Sequence, residues 1–392
     1  MNARLNKARL IGMPANNWLV LLALATLYYF LFDFLRIREY DSPAYIGASR
    51  LLFGLSGGYE HQARIAKPVV LLLPGLFEIM TGKNPAWIFI LQNFVAFLAC
   101  GWLMHSIAYR LVNDEGTAFL VMLCFALCQP FAVYSLLVLA DAPGWAWELL
   151  VIRLALDCES FSWIKKGGLG LLIGLGFLVK ESMLIAALFV FLNNLLFDGK
   201  DLLKKLKSLL NIGLPALLVM GLNAWFVKHF FHVNLLGWIV EANEEFQTFG
   251  YNLHYFQQVL HTLDLAWLYI IAGTIFALRK AAFSACRSEH KAALITSLFF
   301  FLSAPLLANF AHDRVLFMAS PFLFILTLGY IKQNRQMLLL LIPTFGFSAV
   351  LTTYLIYRFE FQNLLPWYYL SGIALFIFWE LKKSRQKSLP IV

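Results

Sequence analysis

The chain has 392 residues, of which 61% are hydrophobic and 14% charged, with a formal net charge of +9. Ordinary soluble domains carry about 25% charged residues, so the composition excludes one and indicates a polytopic membrane protein. The positive excess lies in short clusters between apolar runs, the pattern that marks the cytoplasmic side of membrane proteins, and this speaks against a nucleic-acid partner.

The N-terminal 17 residues are basic and lead into an apolar stretch without a small-residue cleavage site, as in a cytoplasmic leader before a retained first span. A span needs about 20 apolar residues. Twelve stretches approach this: 18–35, 85–111, 116–139, 143–156, 161–179, 182–197, 209–227, 263–278, 292–310, 315–331, 337–357 and 366–381. Gly167 to Phe197 reads as a hairpin turning at Lys180-Glu181, because a single span would place Lys165-Lys166 and the run Lys200, Lys204, Lys205, Lys207 on opposite sides. With that hairpin and an interior N-terminus, about 21 of the 31 Lys and Arg fall inside. Residues 68–80 are too short and too interrupted by Pro74-Gly75 to count as a span, and read as a surface or re-entrant helix. The expectation is an all-α transmembrane bundle of about twelve spans in one domain over 1–392. It has a first outer loop at 36–84 with surface helices, a second at 228–262, and no soluble domain. None of the five cysteines has metal-ligand spacing, and no disulfide or thiolate zinc site is expected.

The longest polar interval, residues 36–67, follows the first span. Ser42 and Pro43 read as an N-cap and first helical position, with Tyr45, Ala48, Leu52 and Leu55 on one face at helical spacing. Asp41 then lies just ahead of an amphipathic helix on the membrane surface. A carboxylate there stays ionised beside the free N–H groups of a helix start, which makes Asp41 the candidate catalytic base. The other outer features are Ala140-Asp141-Ala142-Pro143, Lys180-Glu181, the 228–262 loop and Ala311-His312-Asp313-Arg314. Each puts polar groups at the mouth of the bundle. Such a ring suits an anion half-buried in lipid, with one carboxylate left for proton transfer. A lipid phosphate meets that description: displacement at a sugar carbon attached to it needs a base for the incoming hydroxyl and cations where negative charge develops.

The order of these motifs resembles the GT-C superfamily, integral-membrane glycosyltransferases that use polyprenyl-phosphate sugars, including protein mannosyltransferases and aminoarabinose transferases. The matching pieces are Tyr40-Asp41-Ser42-Pro43-Ala44-Tyr45, Arg64-x-x-Lys67-Pro68, Leu139-Ala140-Asp141-Ala142-Pro143, the run Gly174 to Glu181, and His312-Asp313-Arg314 leading into Ser320-Pro321-Phe322-Leu323. The resemblance implies that Asp41 activates the acceptor and Asp141 is a second acid of the site. Arg64, Lys67 and Arg314 would hold the donor phosphate, with Lys180 and His312 beside them. No acidic pair is spaced for a divalent metal, so no cofactor is assigned and metal dependence stays open. The implied partners are a polyprenyl-phosphate sugar, a glycan or lipid acceptor and membrane lipids; the implied location is a bacterial inner membrane with an outward-facing site and both termini cytoplasmic. Sugars stack on aromatic rings and bond to carboxylates, which makes the outer loop with Glu244 and Tyr251 the candidate acceptor region.

Plainer readings exist for each residue. Asp41 can be a loop acid paired with Arg38, and Arg64 and Lys67 can be snorkelling anchors. Lys180 and Glu181 can pair with each other across a turn. Glu148 lies inside a span, and Arg153, five residues on, is not in helical register with it, so a partner from another helix is expected. The rival function is a transporter or flippase of a lipid-linked or anionic solute, which usually carries its polar groups near the midplane on broken helices in two related halves; no paired halves are found. A polymerase or ligase of lipid-linked glycans would share the donor.

Overall fold

The computed structural model describes residues 12–37, 41–55, 64–196, 201–234, 253–280, 288–307, 313–359 and 365–388. Their regular structure is entirely helical, with no strand among them. The first elements are α1 (Ala15–Leu31), α2 (Asp41–Leu52), α3 (Pro68–Thr81) and α4 (Ala86–Val112). Next come α5 (Glu115–Ala126), α6 (Gln129–Tyr134), α7 (Asp141–Ala155), α8 (Trp163–Phe177), α9 (Leu184–Leu196) and α10 (Leu202–Phe231). The last described elements are α11 (Leu253–Leu263), α12 (Ala266–Lys280), α13 (Ser288–Leu307), α14 (Asp313–Leu316), α15 (Ser320–Gln333), α16 (Arg335–Phe359) and α17 (Leu365–Ser388).

The centre of the bundle is α4, α5, α7 and α15: α4 packs on α5 and α7, and α15 packs on α4, α5, α12 and α13. From Ser320 to Leu328 every residue of α15 is buried, which suits a helix apolar on all sides. Outer helices are apolar and uncovered instead. Leu210, Leu214, Leu217, Leu218 and Trp225 of α10 are all exposed, an apolar surface far larger than a soluble monomer tolerates and one that lipid covers. By length and composition four helices among the described residues can cross a membrane, 86–112, 202–231, 313–333 and 335–359, and a fifth if α11 and α12, bent by 86°, form one broken span. The protein is therefore a multi-pass membrane protein, although only four or five of the twelve anticipated crossings are supported by helix length alone.

Two sequence expectations are corrected. The stretch 116–139 is not one helix: α5 stops, Cys128 turns extended at ψ 138°, and Pro130 opens the short α6. Pro130 has no N–H to donate and its ring would clash with the carbonyl of residue 126 in a continuous helix, whereas the first turn of a new helix tolerates it. The second correction concerns α2, which begins at Asp41 rather than after a Ser42 cap; Ser42 Oγ is buried without a partner. Residues 68–80 do form a helix beside the bundle, uninterrupted at Pro74.

After α6, residues 135–140 are buried yet not helical. Backbone groups buried outside secondary structure need partners. Here the Asn93 amide donates to the carbonyls of Leu137 and Leu139, and the Val138 N–H donates to the Arg36 carbonyl at 3.2 Å. Below them Phe125, Phe131, Trp145 and Phe317 form one aromatic cluster, with Phe125 and Phe131 centroids 4.8 Å apart and Trp145 and Phe317 centroids 5.0 Å apart. This cluster joins the start of α7 to the turn after α14 and so sets Asp141 beside Arg314. On the other flank α8 meets α10 through Gly170, where a Cβ would lie 2.1 Å from the Ile212 carbonyl oxygen; only a small residue permits that backbone approach.

Candidate functional site

Asp41 is the first residue of α2, and both its oxygens are occupied. Arg64 Nη2 donates to Oδ1 at 2.5 Å and Arg314 Nη2 donates to Oδ2 at 2.5 Å. Burial works to raise the Asp41 carboxyl, but the two guanidiniums outweigh it and hold it at about 2, below its ordinary 3.8. The second guanidinium nitrogen of Arg314 lies 3.8 Å from Asp141 Oδ2, and Lys180 donates to Asp141 Oδ1. Lys67, at the start of α3, pairs with Glu181 at 2.7 Å and reaches the Tyr45 hydroxyl at 3.3 Å.

Rings complete the enclosure. The Arg64 guanidinium lies 5.3 Å from the Tyr45 ring centroid and that of Arg314 lies 5.7 Å from Tyr134, within the range of a cation–π contact. Arg314 is carried on the single turn of α14. There the Arg314 N–H donates to Asp313 Oδ1 at 2.7 Å, and the Asp313 N–H donates to Gln258 Oε1 of α11 at 3.0 Å. Lys67 and Arg64 sit on the short turn before α3, and the Asn223 amide of α10 donates to the Ala66 carbonyl between them at 3.0 Å. Lys180 crosses the start of α7 at Gly144, where a Cβ would come within 2.9 Å of Lys180 Cδ.

The six residues Asp41, Arg64, Lys67, Asp141, Lys180 and Arg314 thus converge from five distant parts of the sequence. His312, Glu244 and Tyr251 lie outside the described residues, as does Arg38. Lys180 and Glu181 do not pair with each other: Lys180 bonds Asp141 and Glu181 bonds Lys67. The backbone at Lys180 is extended, with φ −157° and ψ 132°, and successive side chains on extended backbone leave on opposite sides. Glu148 has no hydrogen-bond partner on either oxygen, against the expectation of one from another helix, and Arg153 turns instead to Asp157 and Ser106. Sequence reasoning missed Glu181, Tyr45 and Tyr134 as members of the site. Tyr45 was visible only as part of an apolar face, and nothing local distinguishes Tyr134. Among the described residues no group of three His, Cys, Asp or Glu side chains is arranged to hold a metal ion.

Chemically, the four cations Arg64, Lys67, Lys180 and Arg314 face the carboxylates of Asp41, Asp141 and Glu181, with Asp313 beside Arg314. An anion enters such a place by exchange with a carboxylate, and each exchange releases an acid able to accept a proton.

A family model described as dolichyl-phosphate-mannose-protein mannosyltransferase matches residues 66–225. The matched region holds Lys67, Asp141, Lys180 and Glu181; Asp41, Arg64 and Arg314 lie outside it. No curated protein matches the sequence. Among solved structures the fold is similar to that of ArnT from Cupriavidus metallidurans bound to undecaprenyl phosphate. The TM-score is 0.58 at 15% identity, covering 93% of this chain and 71% of that chain. The helical architecture expected from the order of motifs is thus similar to that of this solved structure.

Proposed function

We propose that this chain is a GT-C-type membrane glycosyltransferase that moves a sugar from a polyprenyl-phosphate donor to a hydroxyl of a glycan or lipid acceptor. The family match and the fold support the reaction class. The observation that carries the reading is the double clamp on Asp41, a carboxylate held by two arginines in a cluster rich in cations.

The donor phosphate binds by taking Arg314 and Arg64 from Asp41, with Lys67 and Lys180 adding charge around it. Asp41 is thereby freed to accept a proton from the acceptor hydroxyl. The acceptor oxygen forms a bond to the anomeric carbon as the bond from that carbon to the phosphate oxygen breaks, and the electron pair departs on the phosphate. Attack opposite the leaving group inverts the anomeric centre. The leaving phosphate is already an anion, so no acid is needed for it, and the four cations stabilise the charge it gains. Asp141, beside Lys180 and Arg314, is the second acid of the site and orients the acceptor. The outer loop carrying Glu244 and Tyr251 is the proposed acceptor region, and His312 an added phosphate contact. A bacterial inner membrane with the site facing outward fits the distribution of basic residues.

The test is an assay of purified protein against a panel of polyprenyl-phosphate sugars with glycan and lipid acceptors, native chain beside Asp41→Asn. Transfer by the native chain and its loss in the folded variant supports the reading. Full activity in Asp41→Asn removes Asp41 as the base.

A further inference from the structure

Glu148 stands in the middle of α7 with none of its surface exposed, and neither carboxyl oxygen has a hydrogen bond. A buried polar group without a partner costs about 1–3 kcal/mol, and more when charged. A leucine or methionine would fill the same space without that cost. The mechanism above gives Glu148 no task, yet it lies close to the machinery. Asp141, Gly144 and Glu148 follow one another at spacings of three and four residues, so they share one face of α7. The stem of Lys180 lies over Gly144, between the two acids, with its Cβ 3.1 Å from where a Gly144 Cβ would be.

An ammonium group has three N–H donors. Asp141 takes one of those of Lys180, and the nearest empty acceptor along the same helix face is Glu148. We propose that Glu148 is a positioning residue that acts through Lys180, a second carboxylate seat for its ammonium on the inner side of Asp141. The inference rests on the glycosyl-transfer reading for its consequence: when donor phosphate and acceptor enter, Lys180 yields Asp141 to the acceptor and stays in the site because Glu148 holds it from behind.

The partnership is tested by a double-mutant cycle on the full chain in lipid nanodiscs, combining Glu148→Gln, Lys180→Met and the double variant. Glutamine keeps the shape and removes the charge. In thermal unfolding, Lys180→Met is expected to lower the midpoint and Glu148→Gln in that background to recover part of it, because the acid left without its cation is removed. In turnover, Glu148→Gln is expected to reduce kcat about tenfold with donor KM within about threefold, the pattern of a lost transition-state interaction. Glu148→Asp is expected to retain more of kcat, and Glu148→Gln to cost less than about twofold once Lys180 is methionine. An equal loss in both backgrounds, or no recovery of the midpoint, overturns the pairing and leaves Glu148 as packing. The unfolding cycle needs no turnover. Non-additive midpoints with no sugar transfer from any donor would uphold the pair while the function fails.

Discussion

If the arginines of the outer site are shared between Asp41 and an incoming phosphate, removing the charge of Asp41 should tighten phosphate binding while turnover is lost. The size follows from the clamp. Burial raises the Asp41 carboxyl, yet Arg64 and Arg314 bring it from 3.8 to about 2; at about 1.4 kcal/mol per tenfold that difference is roughly 2.5 kcal/mol, a floor for what the guanidiniums supply. Asn in its place offers one carbonyl oxygen and no charge. The phosphate then need not displace a carboxylate, and roughly 2.5 kcal/mol corresponds to a gain of about sixtyfold. The expected value is nearer tenfold, because the arginines also lose the group that aims them. Undecaprenyl phosphate titrated into nanodisc-embedded native and Asp41→Asn protein, followed by tryptophan fluorescence, gives the ratio directly. Equal or weaker binding by the variant would refute the exchange. The same clamp has a pH signature: a carboxyl held below its unfolded value adds stability above about pH 4 and loses it as pH falls through about 2. The thermal midpoint of the native chain should therefore exceed that of the variant at neutral pH, and the gap should close on acidification.

Two further outcomes check the geometry. Gly144→Ala places a methyl 2.9 Å from Lys180 Cδ. The alanine favours the helix by roughly 0.5–1 kcal/mol, so the midpoint should hold or rise while kcat falls about tenfold as Lys180 is pushed off Asp141; unchanged kcat would show that Lys180 does not need its place. Gly57→Cys in a cysteine-free background should react with an impermeant thiol reagent applied from the outer side. Labelling only after permeabilisation would invert the proposed sidedness.

Much of the site was legible because polarity is scarce in this chain. Asp41, Arg64 and Lys67 stood out against an apolar background, and Arg314 stood out as a basic residue on the side where basic residues are disfavoured. Pairings were not legible. Lys180 and Glu181 look like a turn pair because they are neighbours, but the extended backbone at Lys180 sends them to Asp141 and Lys67. The run Leu136-Leu137-Val138-Leu139 looks helical for a similar reason, since its apolar side chains suit a span. Its real shape depends on Asn93, more than forty residues away, and on the Arg36 carbonyl. The helix break at Cys128 is signalled by Pro130 but sits inside a largely apolar run that otherwise suits a single span. Glu148 was expected to have found a partner across helices, and no local pattern tells which buried acid lacks one.

The proposed reaction also fixes how substrate and product should differ in charge. A sugar-linked polyprenyl phosphate is a diester with one negative charge, whereas the departing carrier is a monoester whose second ionisation lies near pH 6, giving about −1.5 to −2 at neutral pH. In the proposed reaction the cations Arg64, Lys67, Lys180 and Arg314 therefore hold product more strongly than donor, because they meet charge that appears only as the bond breaks. That is the ordering a catalyst needs, since interactions stronger in the transition state than in the ground state raise the rate. The same ordering makes release of the carrier slow. Undecaprenyl phosphate should inhibit competitively against donor with an inhibition constant below the donor KM. The ratio should shrink toward one as pH is lowered below about 6 and the monoester takes up a proton. Raising the salt should weaken both, since the guanidiniums of Arg64 and Arg314 keep partial contact with solvent. Inhibition that is weaker than donor binding at pH 7, or unchanged at pH 5, would mean that the four cations do not meet the leaving phosphate, and the arginine clamp would then be a structural lock on α2.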